Sequence, residues 1–187
     1  MDPAHSIRAI AIPLALAVCI GSLLPVTAQA ASTSSTIDVD DTSMTWGNGW
    51  TWRPDDDNQS IGTFTVADGA DVTLTGTTTQ NRVLITGVAT IRLADASIDV
   101  SGISDPAFRL DPGADLTLLL SGVNTIRGGG QNAGIYVPPD TSITIDSASA
   151  ADDEIGVLHA YAGAADGAGI GGGGSSEANS PITINGG

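Results

Sequence analysis

The sequence predicts an all-β fold, a β-solenoid of about four to five stacked rungs. Three observations carry that expectation. An eleven-residue phrase occurs twice, at residues 64–74 (FTVADGADVTL) and 108–118 (FRLDPGADLTL). Looser copies stand at 83–93 (VLITGVATIRL) and 135–145 (IYVPPDTSITI). In each copy an apolar-x-apolar run, a short turn and a second apolar-x-apolar run follow one another, the alternation of half-buried strands. The apolar residues flanking each turn are six positions apart: Val66/Val72, Ile85/Ile91, Leu110/Leu116 and Val137/Ile143.

Composition agrees. The chain has 187 residues, 24 of them Gly and only 4% aromatic, and Thr and Asp are frequent. Gly, Thr and Asp are poor helix formers, whereas Thr suits a pleated surface. The formal net charge is −15 and no lysine is present. Such a surface repels nucleic-acid phosphates and anionic lipids, which excludes nucleic acid as a partner and membrane contact beyond an export signal.

Residues 1–30 are expected to be a signal peptide. Arg8 starts it, 9–26 is an apolar run broken by Pro13, Gly21 and Pro25, and Ala28-Gln29-Ala30 offers a small-residue cleavage point. The single cysteine, Cys19, lies inside that run, so the exported chain folds without disulfides. Residues 31–60 form an N-terminal segment and solenoid cap, of which 31–41 is polar and expected to fray. All three tryptophans, Trp46, Trp50 and Trp52, fall within 43–52. They serve either as an aromatic platform for sugar rings or as a cap over the open end of the stack. A terminal unit must cover exposed core, which favours the cap.

Residues 61–187 carry the repeats. Inward positions are Phe64/Val66, Val83/Ile85, Phe108/Leu110 and Ile135/Val137 on first strands, and Val72/Leu74, Ile91/Leu93, Leu116/Leu118, Ile143/Ile145 and Ile182/Ile184 on second strands. Between them two outward ladders are expected: Thr65, Leu84, Arg109, Tyr136; and Thr73, Arg92, Thr117, Thr144, Thr183. A third side begins with Ile98 and Val100 and varies in length over 122–130 and 147–163, where repeat proteins tend to place binding surfaces. Ala168-Gly169-Ile170 repeats Ala133-Gly134-Ile135, which predicts a further rung in the glycine-rich stretch. The sequence stops just after a strand, and the expectation is a fragment with C-terminal domains to follow.

Ala168-Gly169-Ile170-Gly171-Gly172-Gly173, followed by Pro181-Ile182-Thr183-Ile184-Asn185-Gly186-Gly187, resembles the GAGIGGG…ITI-x-GG repeats of secreted or cell-surface β-strand-repeat proteins of Gram-positive bacteria, often labelled carbohydrate-binding. The resemblance covers roughly 83–187. It implies a right-handed parallel β-helix, a secreted or cell-surface location, and adhesion to a polysaccharide or host glycan.

No catalytic set is legible. His159 is the only histidine after residue 30, and no G-x-S-x-G stands in the chain. The expectation is therefore a non-catalytic module, either carbohydrate-binding or a structural stalk. The candidate ligand-binding residues are Trp46, Trp50, Trp52, Arg109 and Tyr136. The alternative is part of a polysaccharide-degrading β-helix, which needs two carboxylates facing one cleft; Asp99 with Asp152 or Glu154 is the candidate pair. No cofactor is expected, although Asp55, Asp57, Asp152, Asp153 and Glu154 offer hard oxygen ligands for calcium.

Overall fold

The computed structural model describes residues 35–148, 156–164, 166–174 and 180–186. Residues 1–34, which include the expected signal peptide, and Asp152, Asp153 and Glu154 lie outside the described residues. No α-helix occurs among the described residues, and their strands form three sheets that are parallel apart from two antiparallel pairings near the start of the first sheet.

The chain enters through β1 (Ser35–Asp38) and a hairpin of β2 (Trp46–Gly47) and β3 (Trp50–Pro54). It then visits three sheets in fixed rotation. The first pass is β4 (Gly62–Val66), β5 (Ala70–Thr75) and β6 (Thr77–Thr78). The second is β7 (Asn81–Ile85), β8 (Val88–Ala94) and β9 (Ser97–Asp99). The third is β10 (Phe108–Leu110), β11 (Asp115–Ser121) and β12 (Val123–Arg127). The fourth is β13 (Ile135–Tyr136), β14 (Ser142–Ser147) and β15 (Val157–Tyr161). β16 (Ile170–Gly171) and β17 (Ile182–Ile184) follow, paired with β13 and β14. Corresponding strands of successive passes pair in parallel, so the repeat in the sequence is the repeat in space.

Alternation along each strand sorts side chains, and the inward residues of all three sheets join one core. Every inward position named above is buried except Ile182 and Ile184. Those two sit on the last strand of the second sheet, where no further strand covers them, and Ile184 is 66% exposed. Each buried aliphatic contributes on the order of 1.5–3 kcal/mol before entropy is subtracted. In the Asp/Gly turns Gly69 and Gly113 have φ of 74° and 86°, with open space around a would-be Cβ. Conformation, not crowding, therefore demands glycine there. Gly129 is the opposite case: a methyl group on it would overlap the carbonyl oxygens of Val100 and Ile103.

The residues 35–38 do not fray. They pair with β5 and bury Ile37, with Val39 buried just beyond, so the polar stretch closes the first edge of the second sheet. β3 closes the first sheet by pairing antiparallel with β4.

The second sheet also corrects a register. Leu118, not Leu116, pairs with Ile91, and Leu116 pairs with Ala89. Thr117 is consequently beside Thr90, and Arg92 beside Leu119. The outward columns are Asp71–Thr90–Thr117–Thr144–Thr183 and Thr73–Arg92–Leu119–Asp146. The cause is a longer turn: Ile85 to Ala89 spans four positions where their partners Leu110 to Leu116 span six. A two-residue slide keeps every side chain on its face, so alternation alone does not detect it.

Candidate functional site

Three of the five ligand candidates share one outward column of the first sheet. Trp46 pairs with Thr51, Thr51 with Thr65, Thr65 with Leu84, Leu84 with Arg109, and Arg109 with Tyr136. At about 4.8 Å per strand, the line from Trp46 to Tyr136 is about 24 Å long. Trp46 is 73% exposed, and Arg109 reaches Asp111 only at 3.5 Å. A neighbouring column runs Arg53–Thr63–Arg82.

Trp50 and Trp52 point the other way. Trp50 is 5% exposed, its Nε1 donates to Ser35 Oγ at 2.9 Å, and its ring tilts against Phe64 at 5.7 Å between centroids. The half-buried Trp52 also leans on Phe64, at 6.5 Å, and donates to Asn81 Oδ1 at 3.2 Å. These two rings close the end of the core, and Trp50 has no ring face left for a ligand. The period of two along β3 separates them from Trp46, which the hairpin returns to the outer face.

Beside the outward column lie two polar clefts, of about 740 and 470 Å³, that share Asp105, Pro106 and Arg109. The first is lined by Arg53, the 55–58 acidic loop, Thr63 and Arg82. The second is lined by Gln131, Asn132, Tyr136 and the glycines 173 and 174. Planar amides, carboxylates and guanidinium groups next to aromatic rings form a surface that can exchange hydrogen bonds with hydroxyls and stack on apolar ring faces.

Arg82, which sequence reasoning passed over, organises the first cleft. Its Nη2 donates to Asp55 Oδ1 and Oδ2 at 2.6 and 2.7 Å and to Thr63 Oγ1 at 3.1 Å, while Nη1 pairs with Asp105. One guanidinium thus ties the loop after the cap to the second and third passes. Asp55, offered for calcium, has both oxygens engaged by this cation, and no cluster of three His, Cys, Asp or Glu side chains stands among the described residues. Asp55 and Asp105 both face this cleft, and each carboxylate is engaged by the same Arg82 guanidinium. Arg82→Met is expected to lower stability by about 1 kcal/mol. The deficit should shrink in 1 M salt as the wild-type pairs are screened. Thermal unfolding at low and high salt measures it, and an unchanged melting temperature would refute the tie.

Asp99 lies on the outer face of the third sheet rather than in this cleft. Burial pushes its carboxyl up, but hydrogen bonds from the Ser101 side chain and N–H, together with Arg127, outweigh that and hold it below the usual carboxylate value. Its candidate partners Asp152 and Glu154 lie outside the described residues.

Two buried asparagines were likewise not legible as sites. Asn81 Nδ2 donates to Val39 O at 2.8 Å, and Asn124 Oδ1 accepts from Ala96 N at 2.9 Å. Both are satisfied structural groups at corners between sheets. No family model matches the chain, and no curated protein or solved structure shows significant similarity to it.

Proposed function

We propose that this chain is a non-catalytic, exported module of a Gram-positive surface protein that binds polysaccharide along the outer face of its first sheet. In this reading the three sheets are the walls of a right-handed parallel β-helix of four to five rungs. The fixed rotation of the chain through three parallel sheets supports the architecture. The observation that carries the binding reading is the single outward column holding Trp46, Arg109 and Tyr136 beside polar clefts. At about 4.8 Å per strand, Arg109 stands one strand from Tyr136 and four strands from Trp46, so the column spans several sugar residues of an extended chain. Rings at the two ends stack on sugar faces, while Arg109 and the amides of Gln131 and Asn132 meet hydroxyls.

Retention on a panel of insoluble polysaccharides tests this. Trp46→Ala and Tyr136→Ala should each lower retention about fivefold to tenfold, the worth of one exposed aromatic contact. Retention of wild type on no polysaccharide would sink the binding reading in favour of a structural stalk.

A further inference from the structure

We propose a second polysaccharide-binding strip on the outer face of the third sheet, built by His159 and Tyr161 of β15 with Arg127 of β12 and Asp99 of β9, and selective for neutral chains. The proposal takes its ligand class from the function proposed above, but the residues and the face are different.

Most of the chain's aromatic side chains are committed elsewhere. Both phenylalanines are fully buried, and Trp50 and Trp52 pack on Phe64. Tyr161 is instead 43% exposed, and it stands two residues after His159 on the same face of the strand. The two rings are nearly parallel, at 21° between planes and 6.4 Å between centroids. Tyr161 is held in place. The Arg127 guanidinium lies 4.9 Å from its ring centroid, a cation–π contact, and Arg127 Nε lies 3.9 Å from Asp99 Oδ2. Asp99, Arg127 and Tyr161 are register partners on three successive strands, and Thr125 and His159 are partners in the adjacent column. Val123, 59% exposed, pairs with Val157 in the next. The strip therefore runs from apolar through hydroxyl and imidazole to a charged and aromatic edge.

That order suits a sugar chain. Apolar C–H faces of the sugar lie on fixed parallel rings, and hydroxyls exchange hydrogen bonds with the Asp99 carboxylate and the Thr125 hydroxyl. Because Tyr161 is already positioned by Arg127 and His159 lies against Tyr161, little side-chain freedom is lost on binding. The charge pattern selects the ligand. Arg127 and Asp99 cancel within the strip, and the chain as a whole carries −15. Polyanionic chains are repelled, whereas neutral ones are not. With strips on two different sheets, one molecule can hold two polysaccharide chains at once and gain avidity on a surface that offers many.

The test uses the full chain, a soluble β-1,4-linked glucose hexasaccharide, insoluble β-glucan, and insoluble polygalacturonate as the anionic arm. The expected result is that the hexasaccharide shifts the His159 ring resonances and that Tyr161→Ala abolishes this response, whereas Tyr161→Phe keeps it. Tyr161→Ala should also cut retention on β-glucan about tenfold in a Trp46→Ala/Tyr136→Ala background. That background isolates this strip, so failure of the first-sheet site leaves the result readable. His159 signals unmoved at millimolar hexasaccharide, or equal retention with and without Tyr161→Ala, would overturn the proposal. Stronger retention on polygalacturonate than on β-glucan would overturn its selectivity for neutral chains.

Discussion

Replacing Phe64 with alanine is expected to lower the unfolding free energy by about 3–5 kcal/mol. Phe64 is fully buried, and it is the ring on which both Trp50 and Trp52 lean. Removing it leaves the cap hairpin without its floor, and the cavity has little chance to collapse. The adjoining geometry is pinned by Trp50 Nε1 on Ser35 and Trp52 Nε1 on Asn81. A loss of that size is a large share of the stability of an ordinary domain. Urea unfolding followed by tryptophan fluorescence measures it. The same probe should report a red-shifted native spectrum, since two indoles gain access to water. A loss below about 1 kcal/mol would show that the cap packs independently of Phe64.

Asn124→Ala should cost about 2–4 kcal/mol, although the side chain is polar and carries no charge. Asn124 is completely buried. Its Oδ1 accepts from Ala96 N, and its Nδ2 donates to Ser121 O at 3.0 Å and Val157 O at 3.2 Å. One amide thus joins backbone groups from three successive passes at a corner of the third sheet. Truncation leaves the buried Ala96 N–H without its acceptor, at about 1–3 kcal/mol where water cannot reach, and removes one donor each from the Ser121 and Val157 carbonyls. Asn124→Asp separates hydrogen bonding from volume. It keeps the acceptor for Ala96 N but replaces the donor with a negative oxygen facing two carbonyls, and it should destabilise at least as much at neutral pH. Chemical denaturation of the two variants checks this. Full stability in Asn124→Ala would mean that the corner relaxes or hydrates freely.

The fold was legible because the apolar pairs repeat with one spacing and one alternation, and burial follows them from Phe64 to Ile145. The likeness of residues 133–135 and 168–170 also identified a true partnership, since Ile135 pairs with Ile170. The slide at Leu116 was not legible, because a shift by two leaves the pattern unchanged. Nor was β1, whose polar residues gain order only from pairing with β5. At the site, the sequence identified Arg109 and Tyr136 as neighbours by arithmetic on the repeat. It did not identify Trp46 as their companion, because that alignment passes through an antiparallel hairpin outside the repeat. Trp50 carried the same signal as Trp46, a tryptophan in a Trp-rich stretch, and burial separates them. Arg82 was hidden for a different reason: its partners Asp55 and Asp105 lie on either side of it in the chain and meet it only after two turns of the stack.

The lengthened turn at 111–115 behaves like an insertion that respects a reading frame. Its two additional positions lead into a strand whose inner and outer faces remain in phase with the strands on either side. A single additional residue at the same place would put Leu116, Leu118 and Leu120 in water and Thr117 and Leu119 in the core. Length changes in this chain should therefore accumulate in pairs wherever they enter a turn that feeds a strand. They move the columns past one another while keeping inward side chains inside and outward ones outside. A scaffold of that kind can re-deal the combinations on its surface, bringing a threonine beside a threonine or an arginine beside a leucine, without sending a polar side chain into the core.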